Sequence, residues 1–206
     1  PDFHKKLYEL AKGFGILFVA DEVQSGMGRT GKMMAIEHWG VTPDIFALAK
    51  GIASGMPLGA MVSQSEVMDW VRGSHASTFG GNPISCQAGL TTIELLQEGL
   101  IENAGRMGEY LLSKLKDLQK RISLIGDVRG KGLMIGIEIV RDLETKEKAI
   151  EERNRIIQTC FEKGLLLLGC GENVIRLSPA LIIKQREADL ALTILEEALK
   201  KVEAEV

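Results

Sequence analysis

Leu17–Lys32 reads LFVADEVQSGMGRTGK. An apolar run ends in two adjacent carboxylates, Asp21 and Glu22, and a glycine-rich loop closing on Gly31 and Lys32 follows at once. Two readings compete. A G-x-x-x-x-G-K loop from Gly26 to Lys32 suggests a phosphate cradle. A buried strand that delivers an acid at its carboxyl end suggests the ligand crevice of an α/β sheet. The phosphate-loop reading needs a Ser or Thr after the lysine to hold magnesium, and residue 33 is methionine. It would also put both carboxylates inside an anion cradle, where they repel the ligand. Taken alone, Gly26–Gly31 is a glycine-rich surface loop, and the weight falls on Asp21.

Outward from this stretch the pattern repeats. Ile16–Ala20 is apolar throughout, as expected of a strand buried on both faces of a parallel sheet. Ile45–Leu48 is a second apolar run, followed by Ala49, Lys50 and Gly51, and Leu58–Gln64 is a third strand. Asp21 and Lys50 thus emerge from two strand ends, 29 residues apart. A plain ion pair is one account of them. A chemical account is a desolvated lysine amine, with small residues around it (AKGIASG), forming a Schiff base with an aldehyde. The acid then suits the ring nitrogen of a pyridoxal cofactor, which it keeps protonated as an electron sink.

Upstream, Asp2–Lys12 reads as a short helix ended by Gly13 and Gly15. From Pro83 the period becomes helical over Ile84–Glu98 and Leu100–Lys120. Val128–Val140 (VRGKGLMIGIEIV) reads as one strand, Lys146–Lys163 as an amphipathic helix, Gly164–Ile182 as two short strands, and Lys184–Glu203 as a closing helix. The expected fold class is α/β with parallel-type strands over residues 1–98, then an α+β region over 99–206 with a small sheet of its own.

Composition narrows the function classes. The 206 residues are 45% hydrophobic and 26% charged, with net charge −3, so no electrostatic footprint for nucleic acid or an anionic membrane surface is expected. Apolar stretches such as Leu165–Leu168 are far too short to span a bilayer, and no signal peptide is visible. Cys86, Cys160 and Cys170 form no C-x-x-C pair, which points away from disulfides or zinc and towards a reducing, cytoplasmic setting. His4, His38 and His75 lack metal-ligand spacing, so no metal site is expected.

The run Asp21–Ala60, DEVQSGMGRTGKMMAIEHWGVTPDIFALAKGIASGMPLGA, with STFGGNP at Ser77–Pro83, resembles the class III (subgroup II) pyridoxal-phosphate aminotransferases, which include 4-aminobutyrate, ornithine and acetylornithine aminotransferases. The resemblance continues through VRGKGLMIGIE to NVIRLSPALI, so several unrelated motifs occur in order. It implies the C-terminal half of a fold-type I transferase. Residues 1–98 would belong to the large, mainly parallel-sheet cofactor domain, and 99–206 would form an interdomain helix and a smaller α+β domain.

The resemblance also implies roles. Asp21 pairs with the pyridine nitrogen of pyridoxal 5'-phosphate, Val23 packs on one ring face, and Gln24 lies near the phenolic oxygen. Lys50 is the Schiff-base lysine. Thr78 binds the cofactor phosphate of a neighbouring subunit in a homodimer, and Arg176 anchors the substrate carboxylate. An arginine fork suits a planar carboxylate, and Thr-x-Gly-Gly lets backbone and hydroxyl approach a phosphate. Taken singly, Thr78 is equally a turn residue, Arg176 a surface ion pair and Gln24 a solvated amide. Glu22, Arg29 and Asn82 match the same motifs as loop architecture, and Arg106 and Arg129 read as solvated.

The implied reaction moves an amino group from an amino acid to a keto acid such as 2-oxoglutarate, with 4-aminobutyrate-type substrates favoured by Glu37–Ala60. Two alternatives stay open: a racemase or aminomutase of the same fold, and a non-catalytic fragment. Family members run to roughly twice this length, and the chain opens on Pro1. An N-terminal half bearing the glycine-serine phosphate loop is therefore expected to be required, with poor turnover from the 206 residues alone.

Overall fold

Two short sheets and five helices organise the chain, for which the computed structural model describes residues 2–205. Helix α1 (Phe3–Gly13) ends where Gly15 takes a left-handed turn and the Ile16 N–H returns to the Ala11 carbonyl at 2.9 Å. That return occupies Ile16, and the Phe18 N–H goes to the Asp44 carboxylate at 2.7 Å. Strand β1 is consequently only Val19–Asp21, not Ile16–Ala20. Nor is it buried on both faces. Ala20 points into a small core with Ile36 and Val41, while Val19 is 54% exposed and Ile16 and Leu17 are exposed with it.

Strand β2 (Ile45–Leu48) lies parallel to β1, pairing Val19 with Ile45 and Asp21 with Ala47. Strand β3 (Ala60–Ser63) runs antiparallel to β2, pairing Leu48 with Ala60, so this sheet is mixed. Connection length explains the difference. Residues 22–44 suffice for a crossover, whereas residues 49–59 fall short of the dozen or more that a parallel return needs. Helix α2 (Pro83–Leu95) starts on Asn82, whose side-chain oxygen accepts the Ile84 and Ser85 N–H groups, with Pro83 pre-set for the first turn.

After a widened turn at Leu96–Leu100, helix α3 (Ile101–Gln119) runs across the boundary at which the chain divides, between Glu102 and Asn103, into two compact units. The second unit carries an antiparallel sheet in the order β4-β5-β7-β6. Its strands are β4 (Ile125–Lys131), β5 (Met134–Ile139), β6 (Leu168–Cys170) and β7 (Val174–Leu177). The single strand expected over Val128–Val140 is therefore a hairpin, turning at Gly132 and Leu133. Helix α4 (Ile150–Glu162) begins later than Lys146, because Lys148 is bridged to Val140 in extended form. Helix α5 (Gln185–Glu203) closes the chain.

Alternation in β5 sends Ile135, Ile137 and Ile139 inward, where they meet Met107, Leu111 and Leu115 of α3, Ile156 of α4 and Leu195 and Leu199 of α5. Each of these side chains is 1% exposed or less. Gly108 lets α3 approach the hairpin turn so closely that a Cβ there would collide with the backbone of Gly132. No helix among the described residues is long and apolar enough to cross a membrane.

Candidate active site

The parallel pair β1–β2 presents its carboxyl ends side by side. Asp21 is the last residue of β1 and stands in register with Ala47, three residues before Lys50. Both side chains are exposed at these ends. The Asp21 carboxylate accepts the Val23 N–H at 3.1 Å, which fixes the turn carrying Val23 (half-buried) and Gln24 (exposed). Asp21, Val23, Gln24 and Lys50 are thus gathered at one sheet end, the usual ligand position of a parallel sheet.

Beneath them lies Glu22, 3% exposed, whose carboxylate accepts the Ile36 N–H at 2.7 Å and the Ser25 hydroxyl at 2.5 Å. The loop 22–34 is folded back onto β1 by these bonds. Gly26 packs so near the Glu22 carbonyl that a Cβ would sit 2.8 Å from it. The expectation of an architectural role for Glu22 agrees with this geometry.

Backbone geometry marks the same place. Among the described residues, Met27, Lys50, Ser54 and Lys146 are the non-glycine positions with left-handed φ, and three of these four belong to the sheet end. A Cβ on Gly51 would lie 3.5 Å from the Met27 Cβ, so the glycine loop rests against the Lys50 turn. Lys50 itself opens a tight helical turn, Lys50–Ala53, with Ile52 and Ala53 buried and Ser54 following at φ 48°. Non-glycine residues in this conformation cost about 1–2 kcal/mol each and persist where the surroundings impose them. Ser54 is hydrogen-bonded to Thr92 of α2 at 3.0 Å. Thr92 carries no motif signal, and the small stretch after Lys50 was the only cue to Ser54.

The remaining expected site residues lie elsewhere. Thr78 stands on the exposed stretch 71–81, where the Ser77 hydroxyl accepts the Gly80 N–H at 2.8 Å. Arg176 belongs to the second unit, on β7 between Gly136 and Leu168. It borders a cavity of about 160 Å3 lined also by Leu111, Leu167 and Ser178, and its Nε is buried with no hydrogen bond among the described residues. Arg129, by contrast, is paired with Asp127 and Glu138 at an exposed edge. The histidines make ring or hydroxyl contacts, with Trp39, Thr30 and Trp70 respectively. All three cysteines are free, and burial pushes the Cys160 thiol up to about 11, which leaves it inert at neutral pH.

The chain matches known proteins over nearly its whole length. The family model for aminotransferase class-III matches residues 1–199. A leucine/methionine racemase of Thermococcus litoralis is 43% identical over 98% of the chain, which covers 46% of the racemase. An acetylornithine aminotransferase of Caldanaerobacter subterraneus subsp. tengcongensis is 39% identical over 98% of the chain and 49% of that protein. The crystal structure of an amine transaminase from an uncultivated Pseudomonas species, in its pyridoxal-phosphate-bound form, superposes with a TM-score of 0.90 at 37% identity, over 98% of the chain and 48% of its own. The chain spans about half the length of the relatives it matches. On its motifs, its fold and these matches, it belongs to the class-III aminotransferases, a pyridoxal-phosphate-dependent family.

Proposed function

We propose that the chain supplies the lysine and the ring-nitrogen acid of a pyridoxal-phosphate aminotransferase whose remaining cofactor contacts come from a separate half and a second subunit. The observation that carries this reading is the placement of Asp21 and Lys50 at the carboxyl ends of adjacent parallel strands. Their chemistry fits the cofactor: an exposed amine on a strained turn and an exposed carboxylate at the end of the neighbouring strand.

The bound cofactor supplies an electron sink. Asp21 would hold the proton on the pyridine nitrogen, with Val23 beside the ring and Gln24 near the phenolic oxygen. Lys50 would bind the aldehyde carbon and, as a free amine, would move the proton of the substrate carbon that bears the amino group. Thr78 would contact the phosphate of a neighbouring subunit's cofactor, and Arg176 would take the substrate carboxylate. Residues 1–98 belong to the large cofactor domain, and residues 99–206 form an interdomain helix and the small α+β domain. A 4-aminobutyrate-type donor, a keto-acid acceptor, a homodimer and a cytoplasmic setting complete the reading.

Racemisation is a second reading, favoured by the 43% identity to a leucine/methionine racemase. The two differ in one requirement, since amino transfer needs a keto-acid acceptor and racemisation needs none. Two experiments test the proposal. Pyridoxal phosphate reduced onto the chain with borohydride should map to Lys50, and Lys50→Ala should lose that label by more than about tenfold. With the complementary half supplied, product formation should depend on added 2-oxoglutarate. Label spread evenly over exposed lysines would refute the cofactor assignment, and product formed without acceptor would establish the racemase reading.

A further inference from the structure

The Lys50–Ala53 turn is held from behind by α2. Gly89 brings that helix against it, a Cβ there lying 3.4 Å from the Ile52 carbonyl and 3.0 Å from Leu58, and Thr92 sits one turn further along the same face. Thr92 donates its only hydroxyl hydrogen to the Ala88 carbonyl at 2.7 Å. It must therefore accept from Ser54, whose hydroxyl lies 3.0 Å away. Ser54 is the residue whose left-handed backbone ends the turn that Lys50, also left-handed, begins. At its start the Ile52 N–H reaches the Ala49 carbonyl at 3.1 Å, whereas at its end the Ser54 N–H spans a long 3.5 Å to the Gly51 carbonyl, so the backbone alone secures the Ser54 end weakly.

Resting on the reading of Lys50 as the cofactor lysine, we propose that the Ser54–Thr92 hydrogen bond holds the Lys50 turn in its left-handed form, making Ser54 and Thr92 positioning residues for Lys50. Thr92 never meets the cofactor. It acts by fixing where the strained turn stops, and so where the Lys50 amine starts. Glycine at position 54 would adopt the same backbone without the bond, which separates the bond from the conformation it secures.

The test uses the 206-residue chain, pyridoxal phosphate and borohydride, with label on Lys50 read against label on Lys32, an exposed lysine of the same unit. Thr92→Val should lower the Lys50-to-Lys32 ratio about fivefold, which corresponds to about 1 kcal/mol, the net worth of one hydrogen bond. Thr92→Ser, which keeps the acceptor, should restore it, and so should adding Ser54→Gly to Thr92→Val. Ser54→Ala, at an exposed position, should repeat the loss should the Thr92 variant fold poorly by circular dichroism. A Lys50 ratio unchanged in Thr92→Val or Ser54→Ala overturns the inference, as does a Thr92→Val, Ser54→Gly double variant that stays as low as Thr92→Val. Absence of preferred Lys50 labelling in the unsubstituted chain overturns the cofactor assignment instead, and this inference with it.

Discussion

The carboxylate of Asp44 bonds to Lys12 and to the Phe18 N–H, and these two contacts, in that order, hold it below the usual carboxylate range. A depressed folded-state pKa means that the stabilisation is present above the unfolded value of about 4 and is lost as pH falls through the folded one. Asp44→Asn should therefore lower the stability of the first unit at neutral pH while changing little at about pH 3, which flattens its acid limb. Urea midpoints followed from about pH 7 to about pH 3 would check this; equal acid sensitivity in both proteins would contradict it. Single residues were legible in the sequence where chemistry interrupts an apolar run. Asp21 and Lys50 each end one, and a charged residue there has few reasons to exist. Ser54 and Thr92 were not legible as a pair, because they are 38 positions apart and Thr92 stands in no motif. Only the packing of α2 on the Lys50 turn makes them neighbours.

At the scale of elements, the hairpin β4–β5 shows why one turn went unread. A two-residue hairpin loop normally advertises itself with Asn-Gly or Asp-Gly. Here it is Gly132-Leu133, and Leu133 is fully buried, so the apolar alternation runs on through the turn and imitates a single strand. The turn is tied to α3 through Gly108. Gly108→Ala would force a methyl into the Gly132 backbone, and overpacking of this kind costs about 1–3 kcal/mol. The expected outcome is a lower urea midpoint for the second unit with an unchanged slope. A midpoint equal to the native one would mean that α3 can move aside. Helices α3 and α5, with apolar residues at steady helical spacing, were read to within a residue or two. Strand β1 begins three residues later than its apolar run, since that run includes residues whose N–H groups are claimed by Ala11 and Asp44.

Across the whole molecule, the two units differ in how completely they bury their own apolar residues. The second keeps Ile135, Ile137, Ile139 and Ile175 at 1% exposure or less. The first leaves exposed Phe14, Ile16 and Leu17 on the approach to β1 and Val19 at its start, and β1 is the strand that ends its sheet. An apolar edge strand of this kind is a site of self-association. In the chain alone, Val19→Lys should lower the aggregated fraction on size-exclusion chromatography by on the order of twofold. An unchanged fraction would place the sticky surface elsewhere. This openness could not be inferred from composition, because an apolar run reads the same whether it is covered or bare. The strand that continues the bare row also carries Asp21 at its end. Where covering the row and a ligand held at Asp21 both stiffen the strand, the two events are thermodynamically linked and favour each other equally. A titration with cofactor would then report the concentration of whatever covers β1, and an assembly assay would report the cofactor.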